Sequence, residues 1–217
     1  MDFKLNEMEQ EILDMLHDFC IKEVKPIAAE LDEKEEFTQN AREKLAEMGM
    51  LGTYIPEEYG GIPADKVTLG LMIEELYSAS GCNHILYQNS LTMFDIVEFG
   101  SPEQIQKCMD AYMETGWPLC SLSISEPGAG SDNRNMSCVA KKQADGTYRL
   151  NGQKTWVTMG ERLPYTIVVA KDEDPSRDNA SMSLWLVNKD RAGISTASLH
   201  KIGQQCIPFC EMYFDDV

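Results

Sequence analysis

Leu122-Ser123-Ile124-Ser125-Glu126-Pro127-Gly128-Ala129-Gly130-Ser131-Asp132 is the stretch around which the chain is organised, since it joins a helix-rich first half to a strand-rich second half. It begins as an apolar run that favours a strand and then breaks into a turn, because Pro127 fixes one backbone dihedral and the two glycines can adopt conformations closed to other residues. A loop of this kind lets backbone amides approach an anionic or planar ligand, and Ser125 and Ser131 add hydroxyls. About half of such loops are plain turns, so both interpretations stay open on chemistry alone.

The first half of the chain has apolar residues at helical spacing. This pattern predicts five helices packed as a bundle, at about residues 6–33, 38–48, 64–79, 82–99 and 102–115. Asn6 and Glu9 resemble a capping box at the first helix start, and Pro26 is expected to kink or restart that helix near its end. The pattern therefore predicts an N-terminal α-helical domain over residues 1–118.

After Leu119 the apolar period shortens to that of strands. Seven short strands separated by turn-forming residues are predicted, at residues 119–125, 136–142, 148–157, 165–170, 182–187, 194–200 and 211–214. Strands at this spacing favour an antiparallel β-barrel or sandwich, here a middle domain over residues 119–217. The expected fold class is thus α+β multidomain.

Composition excludes several classes of function. The net charge of −17 over 217 residues argues against nucleic-acid binding, which needs clustered Lys and Arg. No apolar run reaches the roughly 18 residues of a membrane span, and the N-terminus lacks the pattern of a signal peptide. Seven scattered cysteines favour reduced thiols in a cytoplasmic protein, and the three histidines lack ligand spacing, so no metal site is predicted.

A second stretch, Asn151-Gly152-Gln153-Lys154-Thr155-Trp156-Val157-Thr158, strengthens the ligand interpretation of the first. The two stretches resemble the flavin-contacting segments of the acyl-CoA dehydrogenase family. The runs Ile55–Gly61 and Phe214–Val217 are also similar to that family, so the resemblance extends over essentially the whole chain. A finer similarity, at Leu86-Tyr87-Gln88 and Cys210-Glu211, points to the crotonobetainyl-CoA reductases of carnitine metabolism.

The resemblance implies an FAD-dependent oxidoreductase. Such an enzyme dehydrogenates an acyl-CoA thioester between its α and β carbons, or runs the reverse reduction, with hydride transfer to or from FAD. It also implies exchange of electrons with an electron-transferring flavoprotein and a homo-oligomer in the complete enzyme. Metabolism of fatty acids or carnitine is the expected setting.

The resemblance also assigns roles to individual residues. Trp156 would cover one face of the flavin, with the Val157 amide and the Thr158 hydroxyl near its reactive nitrogen, although an ordinary core aromatic is the alternative for Trp156. Ser131 would also meet the acyl-CoA substrate. The full set of predicted cofactor-binding residues is Leu122, Ser123, Ile124, Ser125, Gly130, Ser131, Trp156, Val157 and Thr158.

No catalytic residue is predicted in this chain. Glu126 is rejected as the base that removes the α-proton, because it lies inside the cofactor loop, where it would stabilise a turn. In the family the catalytic glutamate comes from a C-terminal helical domain, which we expect to be absent here. Two alternatives therefore stay open: a non-catalytic binding or scaffold fragment, and a flavin monooxygenase on the same fold.

Overall fold

A computed structural model describes residues 4–37, 39–80, 85–115, 117–174 and 181–217, except for the side chains of residues 39, 40, 54 and 85–90. The chain divides into two compact units. The first comprises Met1–Trp117 with Ile202–Ile207, and the second comprises Pro118–Lys201 with Pro208–Val217. The predicted similarity at Leu86-Tyr87-Gln88 falls on side chains outside the described part.

The first unit is helical, as predicted. Its described α-helices are α1 (Glu7–Phe19), α2 (Lys25–Glu33), α3 (Gln39–Glu47), α4 (Lys66–Ala79), α5 (Ile85–Phe99) and α6 (Pro102–Thr115), with 3₁₀ turns at Met50–Tyr54 and Glu57–Tyr59.

The first predicted helix is the continuous run α1–α2, which a π-helical turn interrupts at Cys20–Val24. Asn6 and Glu9 form the expected capping box at the start of α1, and Pro26 lies in the first turn of α2, directly after the π-helical turn, which agrees with the expected restart of the helix.

The core of the helical unit forms where the apolar stripes of its helices meet. Leu16 of α1 and Met72 and Leu76 of α4 are at most 1% exposed, as is Ile55 in the loop that precedes α4. Tyr112 of α6 packs into the same core and donates its hydroxyl to the carbonyl of Leu51 at 2.6 Å, which satisfies its one polar atom.

The second unit contains all seven predicted strands. They are β1 (Cys120–Ser123), β2 (Val139–Lys142), β3 (Tyr148–Thr158), β4 (Tyr165–Glu173), β5 (Met182–Asn188), β6 (Ile194–Ser198) and β7 (Phe209–Phe214). They form one sheet in the order β1-β4-β2-β3-β7-β6, with β5 paired to β4. The sheet is mixed and not wholly antiparallel as the spacing suggested, because β1 and β2 both run parallel to β4. The two-part α+β architecture itself is confirmed.

Two further observations bear on the expectations from composition. Cys206 is disulfide-bonded, so the thiols are not all reduced, whereas the other described cysteines (Cys20, Cys108, Cys120, Cys138 and Cys210) are free. Among the described helices, none is long and apolar enough to cross a membrane.

Candidate functional site

The topology of β4 places the loop that follows β1. Strand β1 pairs with the first half of β4, at Tyr165–Val168, and β2 pairs with Lys171–Glu173 at the other end of the same strand. Residues 124–138 connect these two strands outside their pairing. Within this loop Glu126 and Ala129 exchange two backbone hydrogen bonds, at 2.9 and 3.1 Å, which close the tight turn predicted from Pro127 and the glycines.

A β-bulge interrupts β3 at the second predicted segment. Lys154 pairs with Met212 of β7, but Val157 pairs with Cys210, so three steps along β3 match two along β7. The extra residue breaks the alternation of inward and outward side chains. At the bulge Trp156 adopts a left-handed backbone with φ of 59° and is 58% exposed, whereas Lys154 and Val157 are both fully buried.

The fold brings the two predicted segments side by side. The backbone N–H of Thr155 donates to the carbonyl of Ser125 at 2.8 Å, and the ammonium of Lys154 donates to the carbonyl of Ile124 at 2.9 Å. Two consecutive residues of β3 thus hold two consecutive residues of the loop. As a result, the exposed Trp156 and the loop belong to one continuous surface of the second unit.

Glu126 fixes the other end of this loop. Its carboxylate accepts hydrogen bonds from the N–H of Ser137 at 2.5 Å, the hydroxyl of Ser137 at 2.7 Å, the N–H of Cys138 at 2.9 Å and the ammonium of Lys154 at 2.9 Å. Burial by itself would raise the pKa of Glu126, but these hydrogen bonds together outweigh it and hold the pKa below its usual value. The carboxylate is therefore ionised and fully engaged at neutral pH, and its role is structural.

The lowered pKa of Glu126 gives a pH dependence of known sign. Its contribution to stability is complete above the unfolded-state pKa of about 4.3 and is lost as the pH falls through the lower folded-state pKa. We expect the difference in free energy of unfolding between the wild type and Glu126→Gln to be constant near neutral pH and to shrink in acid. Urea denaturation of both proteins at several pH values measures it. A difference that grows as the pH falls would contradict this assignment.

The predicted site residues differ in how far each is exposed at the surface. Ser123 is fully buried, and its hydroxyl hydrogen-bonds that of Thr166 at 2.7 Å. Val157 is also fully buried. Thr158 is 7% exposed. The rest are more open: Leu122, Ile124 and Ser125 are half-buried, and Gly130 and Ser131 are exposed.

The glycines of the loop leave open space. Neither Gly128 nor Gly130 has a positive φ, and a Cβ added at either position would meet no heavy atom within 4 Å. Neither backbone conformation nor packing within the chain therefore requires glycine here. An external group that approaches the backbone closely would require it. Together with the exposed indole of Trp156, this open space leaves room for a planar ligand such as the flavin of FAD.

Trp156 is held in a conformation that costs stability. A left-handed backbone is unfavourable for a bulky side chain, and an exposed indole recovers little by burial. We expect Trp156→Gly to unfold within about 1 kcal/mol of the wild type or to be slightly more stable. The matched control is Met159→Gly, since Met159 has the same φ of 60° but is only 5% exposed. The control should lose about 3 kcal/mol in urea denaturation. A comparable loss for Trp156→Gly would mean that the indole has a packing role.

Lys154 is the residue that the sequence analysis missed. It lies within the second quoted motif but was given no role, because a lysine in a strand is most often a solvated side chain. The available signal was the period-two alternation of the strand, which puts Lys154 on the same face as the apolar Leu150. Its partner Glu126 lies 28 residues away, so only the fold brings the two together.

Comparison with known proteins identifies the family. Residues 6–115 match the family model of the acyl-CoA dehydrogenase N-terminal domain, and residues 121–217 match that of the middle domain. The probable acyl-CoA dehydrogenase YdiO of Escherichia coli strain K12 is 34% identical over 218 residues, which cover 100% of this chain and 56% of that protein. The chain therefore spans about half the length of the curated relatives it matches.

Solved structures agree with this assignment. Butyryl-CoA dehydrogenase from Megasphaera elsdenii superposes with a TM-score of 0.87 at 29% identity, covering 100% of this chain and 58% of that one. An acyl-CoA dehydrogenase from Bacillus anthracis, complexed with FAD, superposes with a TM-score of 0.83 at 30% identity, covering 99% and 37%. With both of its units matched by the family's own domains, the chain belongs to the acyl-CoA dehydrogenase family.

Proposed function

We propose that this chain is the helical and middle part of an FAD-dependent acyl-CoA dehydrogenase or reductase. Such an enzyme forms or removes the double bond between the α and β carbons of an acyl-CoA thioester. One observation carries the proposal: the 2.8 Å hydrogen bond from Thr155 to Ser125 joins the two segments into one surface beside the exposed Trp156. The glycines with open space beside them and the exposed indole contribute little to the stability of the chain. A flavin bound at this surface would account for both.

In this proposal the residues bind and orient the cofactor, and FAD when bound supplies the hydride chemistry. Trp156 covers one face of the ring and excludes water from it. The hydroxyls of Ser125 and Thr158 and the backbone of Val157 donate hydrogen bonds to the ring edge. Gly130 and Ser131 border the phosphates, and Ser131 also contacts the acyl-CoA substrate. Leu122, Ser123 and Ile124 complete the wall behind the ring.

The catalytic base is not among these residues. Glu126 carries a carboxylate within the loop turn itself, but its oxygens already accept four hydrogen bonds. We place the base in the further length that relatives such as YdiO possess. We also propose that the complete protein is a homo-oligomer that exchanges electrons with an electron-transferring flavoprotein near Trp156. A cytoplasmic location and a role in fatty acid or carnitine metabolism complete the proposal.

Visible absorbance tests the cofactor assignment. After incubation with FAD and removal of the excess, we expect the purified chain to retain about one equivalent of flavin. A colourless protein would favour the scaffold alternative. We then expect no bleaching of the flavin when acyl-CoA is added anaerobically to this chain, since the base is missing. Rapid bleaching would contradict the placement of the base outside these residues.

A further inference from the structure

The ammonium of Lys154 lies where three segments of the second unit converge. Lys154 is fully buried and is among the largest fully buried side chains described. Its ammonium donates to the carbonyl of Ile124 and to the carboxylate of Glu126, both at 2.9 Å. The same carboxylate holds the backbone of Ser137 and Cys138 at the entry to β2. One ion pair thus connects β3, the start of the loop and its end.

Stability alone does not account for such a pair. Removing two charges from water costs several kcal/mol per ion, and apolar residues of similar volume are often as stable or more stable at such sites. What the pair supplies, and an apolar pair cannot, is a fixed position for the groups it bonds. Here those groups are the backbone of Ile124 and the turn that begins at Glu126.

The next residues along β3 extend this fixed geometry to the ligand-facing surface. Thr155 holds the carbonyl of Ser125 at 2.8 Å, and Trp156 follows in the bulge. Any displacement of Lys154 therefore moves the loop and the indole relative to each other. A flavin held between them responds strongly, since misplacement by about 1 Å can cost a hundredfold in a reaction that depends on orientation.

We propose that Lys154, paired with Glu126, is the positioning residue of the flavin site: it sets the separation of the loop and the bulge and so sets flavin affinity and reduction potential. This rests on the proposed function. Lys154 does not touch the reacting atoms. Its charge is balanced by Glu126, so it acts through geometry and not through a net field at the ring.

The test removes the pair without leaving a buried charge. In Lys154→Met/Glu126→Gln both charges are gone and Gln keeps an acceptor for the backbone amides. The control is Lys142→Met/Asp174→Asn, which removes the ion pair of 2.9 Å between Lys142 and the buried Asp174 in the same unit. Urea denaturation establishes that both proteins fold. FAD titration, the flavin reduction potential and hydrogen exchange at the Thr155 amide are then measured.

We expect the Lys154→Met/Glu126→Gln protein to fold, to bind FAD at least about tenfold more weakly, to hold it at a shifted potential and to exchange the Thr155 amide faster. The control should match the wild type in all three. If the wild type binds FAD and the Lys154→Met/Glu126→Gln protein equals it in affinity and potential, the positioning role is wrong and the proposed function stands. If the wild type itself does not bind FAD, the proposed function fails. Independently of FAD, a Thr155 amide that exchanges at the same rate in the Lys154→Met/Glu126→Gln protein and in the wild type would show that the ion pair does not order the loop.

Discussion

Lys154→Met alone is expected to lower the free energy of unfolding of the second unit by about 3–5 kcal/mol, the largest effect of any single change in the site. The side chains of Lys154 and Glu126 are 0% and 3% exposed, so the substitution leaves a carboxylate buried without its cation. Urea titration read by hydrogen exchange and mass spectrometry measures this loss in the second unit separately from the first.

A double-mutant cycle separates the pair from packing. In the Lys154→Met background, Glu126→Gln should restore part of the lost stability, because it removes the uncompensated charge. Arg149→Met is the single-site control in the same unit: the side chains of Arg149 and its partner Asp216 are 50% and 70% exposed, so water screens the change and the cost should be well below that of Lys154→Met. Equal costs for Lys154→Met and Arg149→Met, or strictly additive effects in the cycle, would contradict the account of a buried pair.

Gly61→Ala is expected to destabilise the helical unit by about 3 kcal/mol, for a steric reason. A Cβ at Gly61 would lie 2.0 Å from the carbonyl oxygen and 2.4 Å from the Cβ of Ile55, whose side chain is fully buried in the core. Because the obstacle is backbone and core, no flexible side chain can move aside.

The control for that substitution is Gly70→Ala in α4, where an added Cβ meets nothing within 4 Å. There the helix propensity of alanine should raise stability by up to about 1 kcal/mol. Thermal unfolding of the two variants should therefore shift in opposite directions from the wild type. A Gly61→Ala protein as stable as the wild type would show that the loop at Ile55 can relax.

Much of this fold can be predicted from local pattern. All seven strands and the helical half follow from apolar periodicity, and Asn6 with Glu9 predicts the start of α1. Periodicity does not determine pairing partners, however. The parallel contacts of β1 and β2 with β4 depend on the path of the loop between them, which no strand pattern encodes. The apolar spacing does not reveal the π-helical turn at Cys20–Val24 either, although Pro26 predicts an interruption of the helix near this place.

The candidate site, like the fold, could be predicted from the sequence only in part. The motif around Trp156 could be recognised from the sequence, but the exposure of the Trp156 side chain could not. That exposure results from a β-bulge, which interrupts the alternation of inward and outward side chains along β3. Glu126 was expected to stabilise a turn, and it also pairs with Lys154, a contact that only the tertiary fold creates. For Gly130 the sequence suggested an unusual backbone, whereas the structure shows no positive φ there and open space around an added Cβ.

The fluorescence lifetime of FAD bound to this chain tests the central claim, that a flavin lies between the 122–131 loop and Trp156. An indole in contact with the ring quenches flavin emission, so bound FAD should have a short lifetime in the wild type. In Trp156→Leu the lifetime should lengthen, whereas Trp185→Leu should keep it short, since Trp185 packs against Tyr148 with ring centroids 4.7 Å apart. Bound FAD that is equally quenched in Trp156→Leu and the wild type would place the flavin elsewhere and contradict the account.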